Sequence, residues 1–169
     1  MRRILTWIII LGAAAAAIWW LWIRPQESAV MVYFIGPAAG GSTIVPVERV
    51  VKGRGDETVL RGAFEELVLG PSAEERARGL STEIPAGTRV RGLTVREGIA
   101  TIDLSEAVTS GGGSASMQAR LWQIVYTGTQ RPSARQVRLL IEGTERQALG
   151  GEGVLIDRPI GRPPVFPRF

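Results

Sequence analysis

The sequence predicts an α+β domain: a mostly antiparallel sheet with two main helices packed on one face, in the order β-β-α-β-β-α-β, preceded by one transmembrane helix. Three observations carry this. An uncharged run fills Ile4 to Ile23. Two later segments space their apolar residues as a helix does. The segments around them are short, rich in β-branched residues and punctuated by glycine and proline.

The N-terminal run, ILTWIIILGAAAAAIWWLWI, holds 20 residues. At about 1.5 Å per residue a helix of that length spans about 30 Å, the hydrocarbon thickness of a bilayer. Arg2 and Arg3 precede it, Arg24 and Pro25 follow it, and Trp19, Trp20 and Trp22 gather at its far end, where amphipathic rings favour the interface. Two arginines and the free amine outweigh Arg24. The expected topology is a single-pass protein of the cell membrane, its N-terminus cytoplasmic and its domain extracytoplasmic. The rival reading is a cleaved signal peptide, with Ala13 to Ala17 as small residues before the cut. The expected division is an anchor over residues 1–24, a linker over 25–29, a domain over 30–157 and a Pro-rich, disordered tail over 158–169.

The elements follow in order. AVMVYFIG, apolar on both faces, reads as an inner strand. PAAGGS at 37–42 reads as a loop. TIVPVERVV is a second strand that Pro46 assigns to an edge or a bulge. Asp56 suits an N-cap, and Val59, Leu60, Ala63, Phe64, Leu67 and Val68 form one helical stripe, stopped by Gly70-Pro71. Residues 72–80 read as a loop or a short helical turn. The run IPAGTRVRGLTVREGIATIDLS is a hairpin: Val90, Leu93 and Val95 supply one strand, Glu97-Gly98 the reversal, and Ala100, Ile102 and Leu104 the other. Ser114 or Ser116 is placed to cap a second helix with Met117, Leu121, Ile124, Val125 and Gly128 on its inner face. QVRLLIEG is the last strand, with Val137, Leu139 and Ile141 on one side and Leu140 on the other.

Composition closes off several chemistries. The chain has no cysteine and no histidine, which removes disulfides, thiolate catalysis, Ser-His-Asp triads and histidine metal sites. No cofactor and no metal are expected. The pI of about 10.6 misleads. Between the anchor and the tail lie 14 basic and 16 acidic residues, a net charge of −2, with no basic stripe interleaved with aromatics. Nucleic acid is therefore not an expected partner. The carboxylate pairs Glu65-Glu66 and Glu74-Glu75 read as solvated faces. Asp103-Leu104-Ser105-Glu106 reads as a turn rather than a catalytic cluster. The glycines at 40–41 and 111–113 match no phosphate-binding order.

One stretch, LVLGPSAEERARGLSTEIPAGTRVRGLTVREGIATIDLS, resembles the centre of the GerMN domain, the sporulation and spore germination family. Leu67, Gly70, Pro71, Gly79, Leu80, Thr82, Ile84, Pro85, Gly87 and Thr88 carry the likeness. Gly98, Ala100, Asp103, Leu104 and Ser105 continue it. LWQIVYTGTQRPSARQVRLLIEG is similar to the family's second helix and following strand through Gln123, Ile124, Val125, Tyr126, Thr127, Val137 and Gly143; VYFIG and PVERVV fit its opening strands. The resemblance covers residues 30–160. It implies a fold similar to the ring-building motifs of secretion systems, no catalytic residues, and membrane-attached work in the envelope. Two features depart from the sporulation pattern: a single copy of the domain, and an anchor in place of a lipobox cysteine.

The expected function is a non-catalytic, anchored extracytoplasmic domain that assembles with itself or with an envelope or membrane protein. The alternative is a ligand-binding or sensor domain for cell-wall glycan or a small ligand, with a pocket near the loops at 37–42 and 111–114. Candidate interaction residues are Arg49, Gln123, Thr127 and Leu140. Arg49 reads equally as a surface ion pair. Gln123 and Thr127, with Tyr126 and Gln130, read equally as groups that hydrogen-bond strand ends.

Overall fold

The computed structural model of the chain describes Trp19 and residues 26–151 and 153–169. Apart from Trp19, the anchor expected over residues 1–24 lies outside the described residues. Among the described residues no helix is long and apolar enough to cross a membrane.

Strands β1 (Glu27–Ala38) and β2 (Gly41–Lys52) form a separate antiparallel ribbon, in register from Glu27↔Lys52 to Ala38↔Gly41. Two expectations change here. The strand starts inside the expected linker, because Glu27 is already paired. The expected loop at 37–42 shrinks to Ala39-Gly40, the pairing running on through Pro37↔Ser42. Pro46 lies opposite Tyr33, on the strand that has no long partner on its far side, where its missing N–H costs nothing.

Helix α1 (Asp56–Leu69) follows, and the predicted stripe is its buried face. Its N-cap is Gly55, not Asp56. Asp56 sits in the first turn, where its carboxylate favours the helix dipole and accepts a hydrogen bond from the Ser133 hydroxyl. The short helix α2 (Ala73–Ala77) has a full capping box between Ser72 and Glu75. Strands β3 (Val90–Arg96) and β4 (Gly98–Leu104) make the predicted hairpin, with positive φ at both Glu97 (53°) and Gly98 (82°). A 3-10 turn at Glu106–Thr109 leads to helix α3 (Ser114–Gly128) and strand β5 (Ala134–Ile141). Gly113, not a serine, is the N-cap of α3; Ser116 instead donates to the Glu83 carboxylate.

The sheet departs from the mostly antiparallel expectation at its centre. β4 and β5 pair in parallel from Gly98↔Ala134 to Leu104↔Ile141, because α3 crosses over and returns the chain to the same end. β6 (Thr144–Glu145) and β9 (Ile160–Gly161) pair with β5, while β7 (Ala148–Leu149) and β8 (Val154–Leu155) form a small hairpin of their own. The helices accordingly serve two sheets instead of one face of a single sheet. Val32 and Phe34 of β1, Leu60, Phe64 and Leu67 of α1, Ile124 and Val125 of α3, and the inner rows of β4 and β5 share one core, while Val59 and Ala63 of α1 pack against Val30 and Val51 of the ribbon. Tyr33, Ile35 and Ile44 form a second cluster with Ala119 and Tyr126. Helix α3 is buried nearly all round, and at Gly128 a Cβ would stand 2.4 Å from the Val137 side chain.

The tail is ordered, contrary to expectation. Ile160 pairs with Val137, and Phe169 exchanges hydrogen bonds with Ser42 (2.9 and 3.1 Å). The Phe166 ring lies 5.1 Å from that of Tyr126. Prolines stop such a segment from forming a helix, but they leave it free to lie along strand edges.

Candidate functional site

The outward-facing groups of β1 fall on alternate residues, Ile35, Tyr33 and Met31, and each is met by something other than a strand. Ile35 exchanges two hydrogen bonds with Ser81 (2.8 Å each). The Gln123 side-chain amide donates to the Tyr33 carbonyl (2.9 Å) and accepts from the Glu83 N–H (2.8 Å), and Thr127 Oγ1 accepts from the Tyr33 N–H (3.4 Å). Gln130 accepts from the Met31 N–H (2.8 Å) and donates to its carbonyl (2.9 Å), as a neighbouring strand would. Gln123 and Thr127 are fully buried by this role. Of their two readings, the structure realises the hydrogen-bonding one: an edge strand presents unpaired polar groups, and here a helix covers them.

Arg49 projects from β2 into a partly buried network. Its guanidinium grips Glu75 of α2 through two hydrogen bonds (2.8 and 2.6 Å), reaches Glu66 of α1 at 3.3 Å and lies 5.7 Å from the Phe34 ring centre. The fork-to-fork hydrogen bonds from Arg49, helped by the Ser72 N–H, pull the Glu75 carboxyl down to about 2. The ion-pair reading of Arg49 is the one realised in the chain.

Leu140 is half-buried on the outer face of the sheet, in register with Asp103 of β4 and Glu145 of β6. Its surroundings are charged: Arg91 bridges Asp103 (3.2 Å) and Glu142 (2.5 Å), and Arg138 pairs with Glu145 (2.5 Å). Leu140 is thus a small apolar island in a laced ionic surface. The structure does not bring Arg49, Gln123, Thr127 and Leu140 into one site.

Two open features remain. The far edge of β2 is occupied only at its start, where Ser42 and Thr43 meet Phe169 and Arg168; no strand pairs with it from Ile44 to Lys52 among the described residues. Val50 on that stretch is 62% exposed. The second feature is a cleft of about 330 Å³ between the start of β1 and the C-terminal end of α3, lined by Ala29, Val30, Met31, Tyr33, Thr129, Gln130, Arg131 and Arg162. Arg162 donates to Thr129 Oγ1 (2.8 Å) and the Tyr126 carbonyl (2.9 Å), and stacks 4.8 Å from the Tyr126 ring centre. Smaller cavities of about 310 and 300 Å³ flank β2. None of these three touches residues 37–42 or 111–114, where a pocket was expected. The first region is a tight turn, and at the second the Gly111 carbonyl accepts from Arg120 (3.2 Å).

Sequence reasoning missed Arg120 and Arg162. Arg120 is 2% exposed and spends its donors on the carbonyls of Glu83, Val108 and Gly111, and burial pushes its pKa down. Its place three residues after Met117, on the buried stripe, was the available signal. Arg162 had none, since it lies in a segment without periodicity. Among the described residues no cluster of acidic, histidine or cysteine side chains is arranged to hold a metal ion.

The architecture defines a small α+β module whose prominent surfaces are a strand edge and a cleft. A family model for sporulation and spore germination, Germane, matches residues 31–147, and the chain belongs to that family. The fold is similar to the tandem GerMN domains of the sporulation protein GerM from Bacillus subtilis (TM-score 0.64, 22% identity, 81% of this chain and 46% of that one). It is also similar to the first GerMN domain of the same protein (TM-score 0.62, 24% identity, 80% and 98%) and to a putative lipoprotein from Clostridium perfringens (TM-score 0.59, 25% identity, 81% and 89%). The chain spans about half the length of the tandem-domain structure. No curated protein matches it.

Proposed function

We propose that the chain is a non-catalytic, membrane-anchored extracytoplasmic module that acts in protein–protein assembly at the bacterial cell envelope, in a sporulation, germination or cell-wall-associated complex. The observation that carries this reading is the open edge of β2. Among the described residues, a twelve-residue strand backed by a packed ribbon leaves its far side unpaired from Ile44 onward. Such an edge is a ready template for another chain. The uncharged run over Ile4–Ile23, with arginines on both flanks, supports the anchor, and the domain's near-neutral charge balance supports a protein partner over nucleic acid.

Cross-linking in living cells of the C-terminally tagged full-length chain, followed by mass spectrometry, tests it. The expected outcome is a ladder of self-products or repeated recovery of particular membrane proteins. Uncross-linked monomer alone overturns it. Leu140→Arg in the same assay separates the two surfaces: if the sheet face assembles, this change weakens association without unfolding the domain.

A second reading, a ligand-binding or sensor domain for envelope glycan or a small ligand, is favoured by one observation. The cleft at the end of α3 gathers two arginines and no carboxylate.

A further inference from the structure

We propose that the cleft between the start of β1 and the end of α3 binds a compact ligand carrying a carboxylate next to an amide, the chemistry of an acylated amino acid or of a peptide's terminal residue. The inference rests on the ligand-binding reading and names its site and ligand class.

Arg131 and Arg162 both line the cleft, and none of its lining residues is acidic. Arg162 has no carboxylate partner among the described residues. Its guanidinium is nevertheless held in place, by Thr129 Oγ1 (2.8 Å), by the Tyr126 carbonyl (2.9 Å) and by the rings of Tyr126 and Tyr33 at 4.8 and 5.4 Å. Those bonds use two of its five N–H groups, so a fixed fork is left for a planar anion. Arg131 is only loosely matched: Asp56 lies 3.8 Å from its Nε, which is buried with no hydrogen-bond partner. A helix C-terminus ordinarily repels an anion. Here the last carbonyls are already covered, that of Tyr126 by Arg162 and that of Thr127 by Gln130 (2.8 Å).

Outward groups fall on alternate residues of β1, and those of Ile35, Tyr33 and Met31 are matched by Ser81, by Gln123 with Thr127, and by Gln130. The next in the series is Ala29, which is exposed and lines the cleft. Its outward N–H and C=O stand where the side-chain closure stops, a place for one ligand amide.

The test uses the isotopically labelled full-length chain in detergent micelles, titrated with N-acetyl-L-alanine and separately with N-acetyl-L-alaninamide, and followed through the Ala29 N–H, the Gln130 side-chain amide and the Arg162 Nε–H signals. The acid is expected to shift all three. The amide is expected to bind about tenfold more weakly, the usual scale for losing a charge-assisted pair. Arg131→Gln, which leaves the Arg162 cap of α3 in place, is expected to weaken the acid about fivefold and the amide little. N-acetyl-tetraalanine reads the source of the ligand: tighter binding assigns a peptide terminus, equal binding a free acyl amino acid. Acid and amide binding alike would retain a small-ligand site and overturn the carboxylate assignment. Shifts in none of the three signals with either probe would overturn the site itself.

Discussion

The two long edges of the β1–β2 ribbon are chemically alike and are treated in opposite ways. Along β1 every outward group from Ile35 to Met31 is matched, by a backbone bridge at Ser81 and by the side chains of Gln123, Thr127 and Gln130. Along β2 the matching among the described residues ends after Thr43. The difference lies in what packs alongside. The second edge of β1 faces α3, which is buried nearly all round; around Tyr33 its polar backbone is shut away from water, and only at Met31 does the edge approach solvent. Leaving it unmatched costs about 1–3 kcal/mol per group. From Pro46 on, the edge of β2 faces solvent at alternate residues, which satisfies it at no cost and leaves it available. A closed edge of this kind stabilises the fold, and an open one is where association is expected.

Breaking the closed edge has the largest expected effect. Gln123→Leu keeps the volume but strands the Tyr33 carbonyl and the Glu83 N–H in the interior. A loss of about 3 kcal/mol is expected in denaturant unfolding, measured by the shift in midpoint at unchanged slope.

The next largest concerns the tie between the ribbon and the helices. The Glu75 carboxyl sits at about 2 instead of 4.5, and Glu75 is 6% exposed. A carboxyl whose folded pKa is depressed adds stability that is fully present above its unfolded pKa. That stability is lost as pH falls through the folded value. Up to about 3 kcal/mol is therefore expected to disappear between pH 4.5 and about 2. Glu75→Gln should be less stable at neutral pH by a similar amount and should lose less on acidification. Parallel acid titrations of the two proteins that run side by side would remove the pair from the account of stability.

Gln130→Ala probes the closed edge where it approaches solvent, and about 1 kcal/mol is expected there, with faster amide exchange at Met31 and no change at Tyr33. The smallest effect on stability belongs to the open edge. Val50→Lys, at a residue 62% exposed, is expected to change stability by less than about 0.5 kcal/mol. It should still reduce cross-linked products, since edge lysines oppose strand addition. Undiminished cross-linking would move the assembly surface away from β2.

Much of the fold was legible in the sequence because it rests on local signals. The α1 stripe, the Glu97-Gly98 reversal, the inner face of α3 and the edge placement of Pro46 each follow from spacing or from one residue's backbone preference. Asp56 and Ser114 show the limit of such rules. Each is a good capping residue, but a glycine one position earlier takes the cap, and Asp56 is drawn instead toward Ser133, distant in sequence. The candidate site was legible only in part. Arg49 and Gln123 stood out as unusual polar residues, while the reason for them, Glu75 in one case and the Tyr33 carbonyl in the other, lies on a different element.

The sequence by itself determined the two main helices and the central hairpin, which chemistries are closed by the absence of histidine and cysteine, and to which family the motif order points, because period, composition and turn residues act over a few neighbours. Tertiary structure alone decided that the first two strands form their own ribbon, that β4 and β5 run in parallel, that the proline-rich tail docks, and that one ribbon edge is closed by a helix while the other stays open. Those outcomes depend on which unmatched backbone groups are shut away from water once the helices pack, and no local pattern encodes that.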